Sequence, residues 1–121
     1  MSTTRLHALI VEDHSTSALS MKAALSVMGF ATFGFAATGP QAIAAAKARK
    51  PDLVVTSLSL RAGLGADVLS ALSHEIEGAA MIYTSDAGVP IEGLELVLQK
   101  PVGRAALSRA WETLRGEVEA A

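Results

Sequence analysis

The sequence predicts an α/β domain built on a doubly wound, five-stranded parallel sheet. Two observations carry this. Short apolar runs of strand length recur along the chain, and the stretches between them carry helical periodicity instead of two-residue turns. The alternation also fills the whole chain, which at 121 residues is one domain's worth of core. Right-handed crossovers then cover both faces of the sheet.

Each element has its own signal. Residues 7–11, HALIV, suit a central strand. Ser15 is placed to cap a helix over residues 15–28, in which Ala18, Met21, Leu25 and Met28 recur at helical spacing and Gly29 gives the stop. Residues 30–36, FATFGFA, read as a weaker strand interrupted by Gly34. Thr38 stands three residues before Gln41, a capping-box pattern with Pro40 in the first turn, and the alanine-rich helix that follows ends before Pro51. A strand over 53–57, a glycine-containing loop and a helix from about Ala66 to Ser73 come next. Strands at 79–84 and 94–99 lead to a closing helix from Arg104 to Val118, with Leu107, Ala110, Trp111, Leu114 and Val118 on one side and Trp111 expected as a half-buried core residue. Between the last two strands, SDAGVPIEGL holds two glycines and a proline, so the fourth helix is expected to be shortened or missing.

Composition excludes several classes. Half the residues are apolar and 18% charged, which marks a globular chain. A net charge of −2 without a basic face argues against nucleic-acid binding, and Lys47, Arg49 and Lys50 complement a helix dipole. The absence of cysteine excludes disulfides and thiol chemistry. With no apolar run of membrane-spanning length and no leader-like start, the expectation is a cytoplasmic, single-domain protein over residues 1–121 with no appended output domain.

Polar residues collect where strands end, which is where open parallel sheets build their sites. Glu12 and Asp13 follow the first strand, Ser57 and Ser59 the third, Thr84 the fourth, and Lys100-Pro101 the fifth. In this order and at these strand ends, with Gly65 downstream of PDLVVTSLSL, the chain resembles the receiver domain of two-component response regulators over essentially its whole length. The resemblance implies that Glu12 and Asp13 help hold Mg²⁺ together with the carbonyl of Ser59. It also implies that Thr84 and Lys100 bind phosphoryl oxygens, and that the Lys100–Pro101 bond is cis. Ser57 then stands where the family's phosphoacceptor aspartate belongs.

That substitution changes the chemistry. A carboxylate is an anion at neutral pH and can attack a phosphohistidine, whereas a serine hydroxyl needs a positioned base. Serine also removes one anion from the metal site, so Mg²⁺ is expected to bind weakly or not at all. Uncharged, it does not mimic a phosphorylated acid either. The ordinary reading of the cluster is a structural ion pair between Lys100 and the acids. Asp86 could substitute for the missing carboxylate, but a loop acid is more often solvated. His14 is read as a partly exposed loop residue, since His7 and His74 fall elsewhere. The hydroxyls of Ser15, Thr16 and Ser17 at a helix start are better explained by capping than by phosphate binding, because two acids precede them.

The resulting expectation is a non-enzymatic, atypical receiver that works in signal transduction by binding a protein, without ordinary aspartyl phosphorylation. By resemblance the partner is a histidine kinase, a phosphotransfer protein or an output protein, with residues 15–28 as the docking helix; a homodimer is the other assembly the family uses. Two alternatives stand beside it. One is a switch driven by Ser57 phosphorylation, or by a ligand or metal in the Glu12/Asp13/Lys100 cleft. The other is a small-molecule or cofactor carrier on a flavodoxin-like fold.

Overall fold

A computed structural model describes residues 5–60, 63–64, 80–85 and 97–120. Its five-stranded parallel sheet is formed by β1 (Leu6–Val11), β2 (Phe30–Ala36), β3 (Leu53–Ser57), β4 (Ala80–Ser85) and β5 (Val97–Gln99), in the spatial order β2-β1-β3-β4-β5. This is the doubly wound arrangement that the sequence predicts. Three helices are described: α1 (Ser15–Val27), α2 (Gly39–Ala48) and α3 (Arg104–Ala120).

The period-two alternation of β1 and β3 sorts their side chains onto two cores. Ala8, Ile10, Leu53 and Val55 face one side with Ala80 and Ile82, under Ala18 and Leu25 of α1 and Leu107, Ala110 and Trp111 of α3. Leu9, Val11 and Val54 face the other, under Ala42 and Ala46 of α2. A central strand buried on both faces needs an unbroken apolar run, which is why ALIV and LVV carry no polar interruption. Trp111, expected to be half-buried, is a core residue only 6% exposed, with its ring 5.1 Å from that of Phe30.

Several local expectations are refined. Thr38 does cap α2, accepting the Gln41 N–H at 3.3 Å, while the Gln41 side chain takes the Ala37 N–H at 2.9 Å. Ser15 does not cap α1. The cap position falls one residue earlier, on His14, whose side chain makes no capping bond; Glu12 Oε1 instead accepts the His14 N–H at 3.2 Å. Gly34 does not interrupt β2. A Cβ there would come 3.3 Å from Leu9 Cδ1 and 3.7 Å from His7 Nε2, so glycine makes room for the neighbouring strand's side chains. The segment expected as a loop after β3 contains a short antiparallel ribbon, in which Ser59–Leu60 pairs with Gly63–Leu64. The predicted helix at 66–73, the shortened fourth crossover at 85–94, His74 and Asp86 lie outside the described residues, apart from Ser85 at the end of β4.

Candidate functional site

Each strand entering the site ends in the same pattern. On the face shared by α1 and α3, an apolar core side chain is followed two residues later by a polar one: Ile10 by Glu12, Val55 by Ser57, Ile82 by Thr84, Leu98 by Lys100. Parallel register then lines these ends up. Val11 pairs with Thr56, which puts Glu12 beside Ser57, and Ser57 pairs with Thr84. The backbone N–H of Lys100 binds the Ser85 carbonyl at 2.9 Å and fixes the chain beyond β5. The Lys100–Pro101 bond is cis, as the resemblance implies.

The side chains converge as the sequence suggests. Lys100 Nζ donates to Glu12 Oε2 at 2.8 Å and to Ser57 Oγ at 3.1 Å. The pair is well shielded, with Lys100 16% and Glu12 6% exposed along their side chains. Ser57 and Thr84 are buried beside it. Ser57 and Lys100 thus have the spacing of a nucleophile and a base, which the sequence alone does not reveal. Lys100 is nevertheless committed to a carboxylate and donates to the serine, so the contact does not activate the hydroxyl.

Asp13, next to Glu12 in the chain, lines a second groove with Glu12, Leu19 and Phe35. His14 is exposed, with Nε2 3.7 Å from Asp13 Oδ1, in keeping with a loop histidine. Ser59 lies in the ribbon two residues beyond Ser57. For a divalent cation, Glu12 and Asp13 are the carboxylate ligands on offer among the described residues, and ligand atoms of Glu12, Asp13 and His14 all lie within 4.8 Å of one another. The set fits Mg²⁺ poorly. Glu12 is already neutralised by the Lys100 ammonium, and Ser57 contributes a hydroxyl where Mg²⁺ favours anionic oxygen.

A second polar cluster, which sequence reasoning missed, lies at the opposite end of the sheet. His7 is 7% exposed; its Nδ1 is 2.9 Å from Thr32 Oγ1, and its backbone N–H donates to Asp52 Oδ2 at 2.8 Å. Burial lowers the His7 pKa, and the nearby Arg49 charge lowers it further, against opposing contributions from Asp52 and the Thr32 hydrogen bond. The available signal was the place of His7 at the head of an apolar central strand, two residues before Leu9 and on the same face.

A doubly wound sheet with an acid pair, a hydroxyl and a lysine at successive strand ends defines a class of signalling domain, and the comparisons agree. The family described as response regulator receiver domain matches residues 8–112. The chain belongs to this family, and so is a domain of two-component signal transduction. A search of curated proteins finds no significant match. Among solved structures, the anti-anti-sigma factor PhyR of Bartonella quintana aligns with a TM-score of 0.84 at 18% identity, over 98% of this chain and 51% of its own. The present chain thus spans about half the length of that relative. A CheY-like receiver domain from Methylobacillus flagellatus aligns at 0.79 with 24% identity, over 92% of this chain and 99% of its own. A chain from the CheX–CheY–BeF3–Mg²⁺ complex of Borrelia burgdorferi aligns at 0.81 with 22% identity, over 91% and 89%. At these identities the likeness is one of fold. Receivers as a class are non-catalytic modules that bind proteins and typically Mg²⁺. Among the described residues, no helix is long and apolar enough to cross a membrane.

Proposed function

We propose that this domain is an atypical receiver that signals by docking to a protein partner, without the aspartyl-phosphate switch. The observation that carries the reading is the environment of Ser57. It ends β3 beside Lys100 and Glu12, where the family's acceptor carboxylate would stand, and it offers a hydroxyl hydrogen-bonded to an ammonium. Such a group is a poor nucleophile toward phosphohistidine. Mg²⁺ binds weakly here because, among the described residues, Glu12 and Asp13 are the anionic ligands and Lys100 already neutralises one of them. Modification of Ser57 by a serine kinase is disfavoured by its 1% exposure.

The partner is a histidine kinase, a phosphotransfer protein or an output protein, and α1 is the docking element. Leu19 at 61% and Val27 at 66% exposure leave apolar surface on α1 that the fold does not use. The deciding experiment is intact-mass spectrometry with Mg²⁺ and a small acyl-phosphate donor, with Ser57→Asp in parallel. The natural protein is expected to stay unmodified while Ser57→Asp gains one phosphoryl group. Stoichiometric phosphorylation of the natural protein would overturn the reading.

A further inference from the structure

We propose that the cleft between α1 and the Lys100–Val102 segment is a binding site for a small, uncharged ligand with a hydrogen-bonding head and an apolar body. This goes beyond protein docking and does not depend on it. The cleft has a volume of about 410 Å³, within the range of small-molecule sites. It opens to solvent past Ser20, so a ligand can reach it.

The sequence of α1 makes the space. Ala18 and Leu25 pack into the core. The adjoining stripe, Ser17, Ser20, Met21 and Ala24, runs at helical spacing along the cleft wall, and three of these four side chains are too small to reach the opposite side. The floor is two-layered, as the strand pattern requires: Ile10 and Val55 below, then the polar row of Glu12, Ser57, Thr84 and Lys100. Val102 closes the far wall.

Two features set the ligand class. The cleft's charged lining residues, Lys100 and Glu12, neutralise each other at 2.8 Å, so neither a cation nor an anion finds a free counter-charge. Ser57 and Thr84 line the cleft beside the ion pair, so its floor offers hydroxyls as well as charge. A ligand head that both donates and accepts, such as a carboxamide or an alcohol, matches hydroxyls of this kind. The apolar body then lies against Met21, Ala24 and Val102.

The test uses the homologous neutral probes butanamide, pentanamide and hexanamide, followed by amide-resolved NMR of the full chain. Hexanoate and hexylammonium serve as charged counterparts. Affinity is expected to rise about fourfold per added methylene until the cleft is full. Shifts should concentrate on Ser17, Met21, Ala24 and Val102, and the charged probes should bind more weakly than hexanamide. Ala24→Leu fills the cleft and is expected to weaken hexanamide about tenfold. Ser20→Phe, at the exposed mouth, should do the same without touching the core, and it decides the matter if Ala24→Leu does not fold. Affinity independent of chain length, equal binding of the charged probes, or undiminished binding by Ser20→Phe would each overturn the proposal.

Discussion

At one end of β1, Glu12 is held by the Lys100 ammonium at 2.8 Å; at the other, His7 lies 7% exposed against the Thr32 hydroxyl. Both ends bury polar groups at the margin of the same sheet, and they solve the desolvation problem differently. The Glu12 end keeps its charges and pairs them, so its integrity depends on both partners being present. The His7 end avoids charge: burial and the neighbouring Arg49 favour the neutral imidazole. The first arrangement is sensitive to mutation. The second is sensitive to acid.

The largest effect should come from breaking the charged end. Lys100→Ala leaves the Glu12 carboxylate shielded without its counter-ion and is expected to cost about 3 kcal/mol in urea denaturation. A loss within the noise of a surface pair would show that water has taken over the lysine's role. At the other end the readout is pH. The His7 pKa is lowered on folding from an ordinary value near 6.5, so on acidification the unfolded chain takes up the proton first. Its stabilising contribution is therefore complete above that ordinary value and declines below it, by at most about 1.4 kcal/mol per pH unit for one proton. His7→Gln keeps a hydrogen-bonding group opposite Thr32 and removes the titration. The difference between its stability and that of the natural protein should vary with pH in this window, and a constant difference would refute the assignment.

A smaller effect calibrates both ends. Thr38→Ala removes the α2 cap, outside either cluster, and should cost about 1 kcal/mol without altering the pH dependence. Smallest of all, Phe35→Tyr on the edge strand, where the residue is 48% exposed, is expected to change stability by less than about 0.5 kcal/mol.

How far each cluster could be read in advance follows from the same contrast. Glu12, Ser57, Thr84 and Lys100 were legible because each follows an apolar strand, and strand ends in a parallel sheet meet in space. The capping pair Thr38 and Gln41 was legible because it is local. His7 was not, since its partners Thr32 and Asp52 lie 25 and 45 residues away and carry no mutual spacing signal. Gly34 was misread for a related reason. Glycine lowers strand propensity, but here the deciding factor is the space left for Leu9 and His7 on the next strand. The failure of Ser15 to cap was equally hidden, because a one-residue shift of the helix start hands the cap position to His14.

The Lys100 contacts also bear on how the chain folds. They join residues 88 and 43 positions apart, so the site closes only when the last strand arrives. Closing loops of that length costs entropy that no earlier, local contact repays, and contacts of this kind tend to form late. Until residue 100 has been synthesised, Glu12 is without its cation, and the core face also lacks its cover from α3. The ion pair is therefore a completion mark: Glu12 acquires its partner when the fold is finished, and a chain interrupted before residue 100 carries an acidic end that a finished one does not.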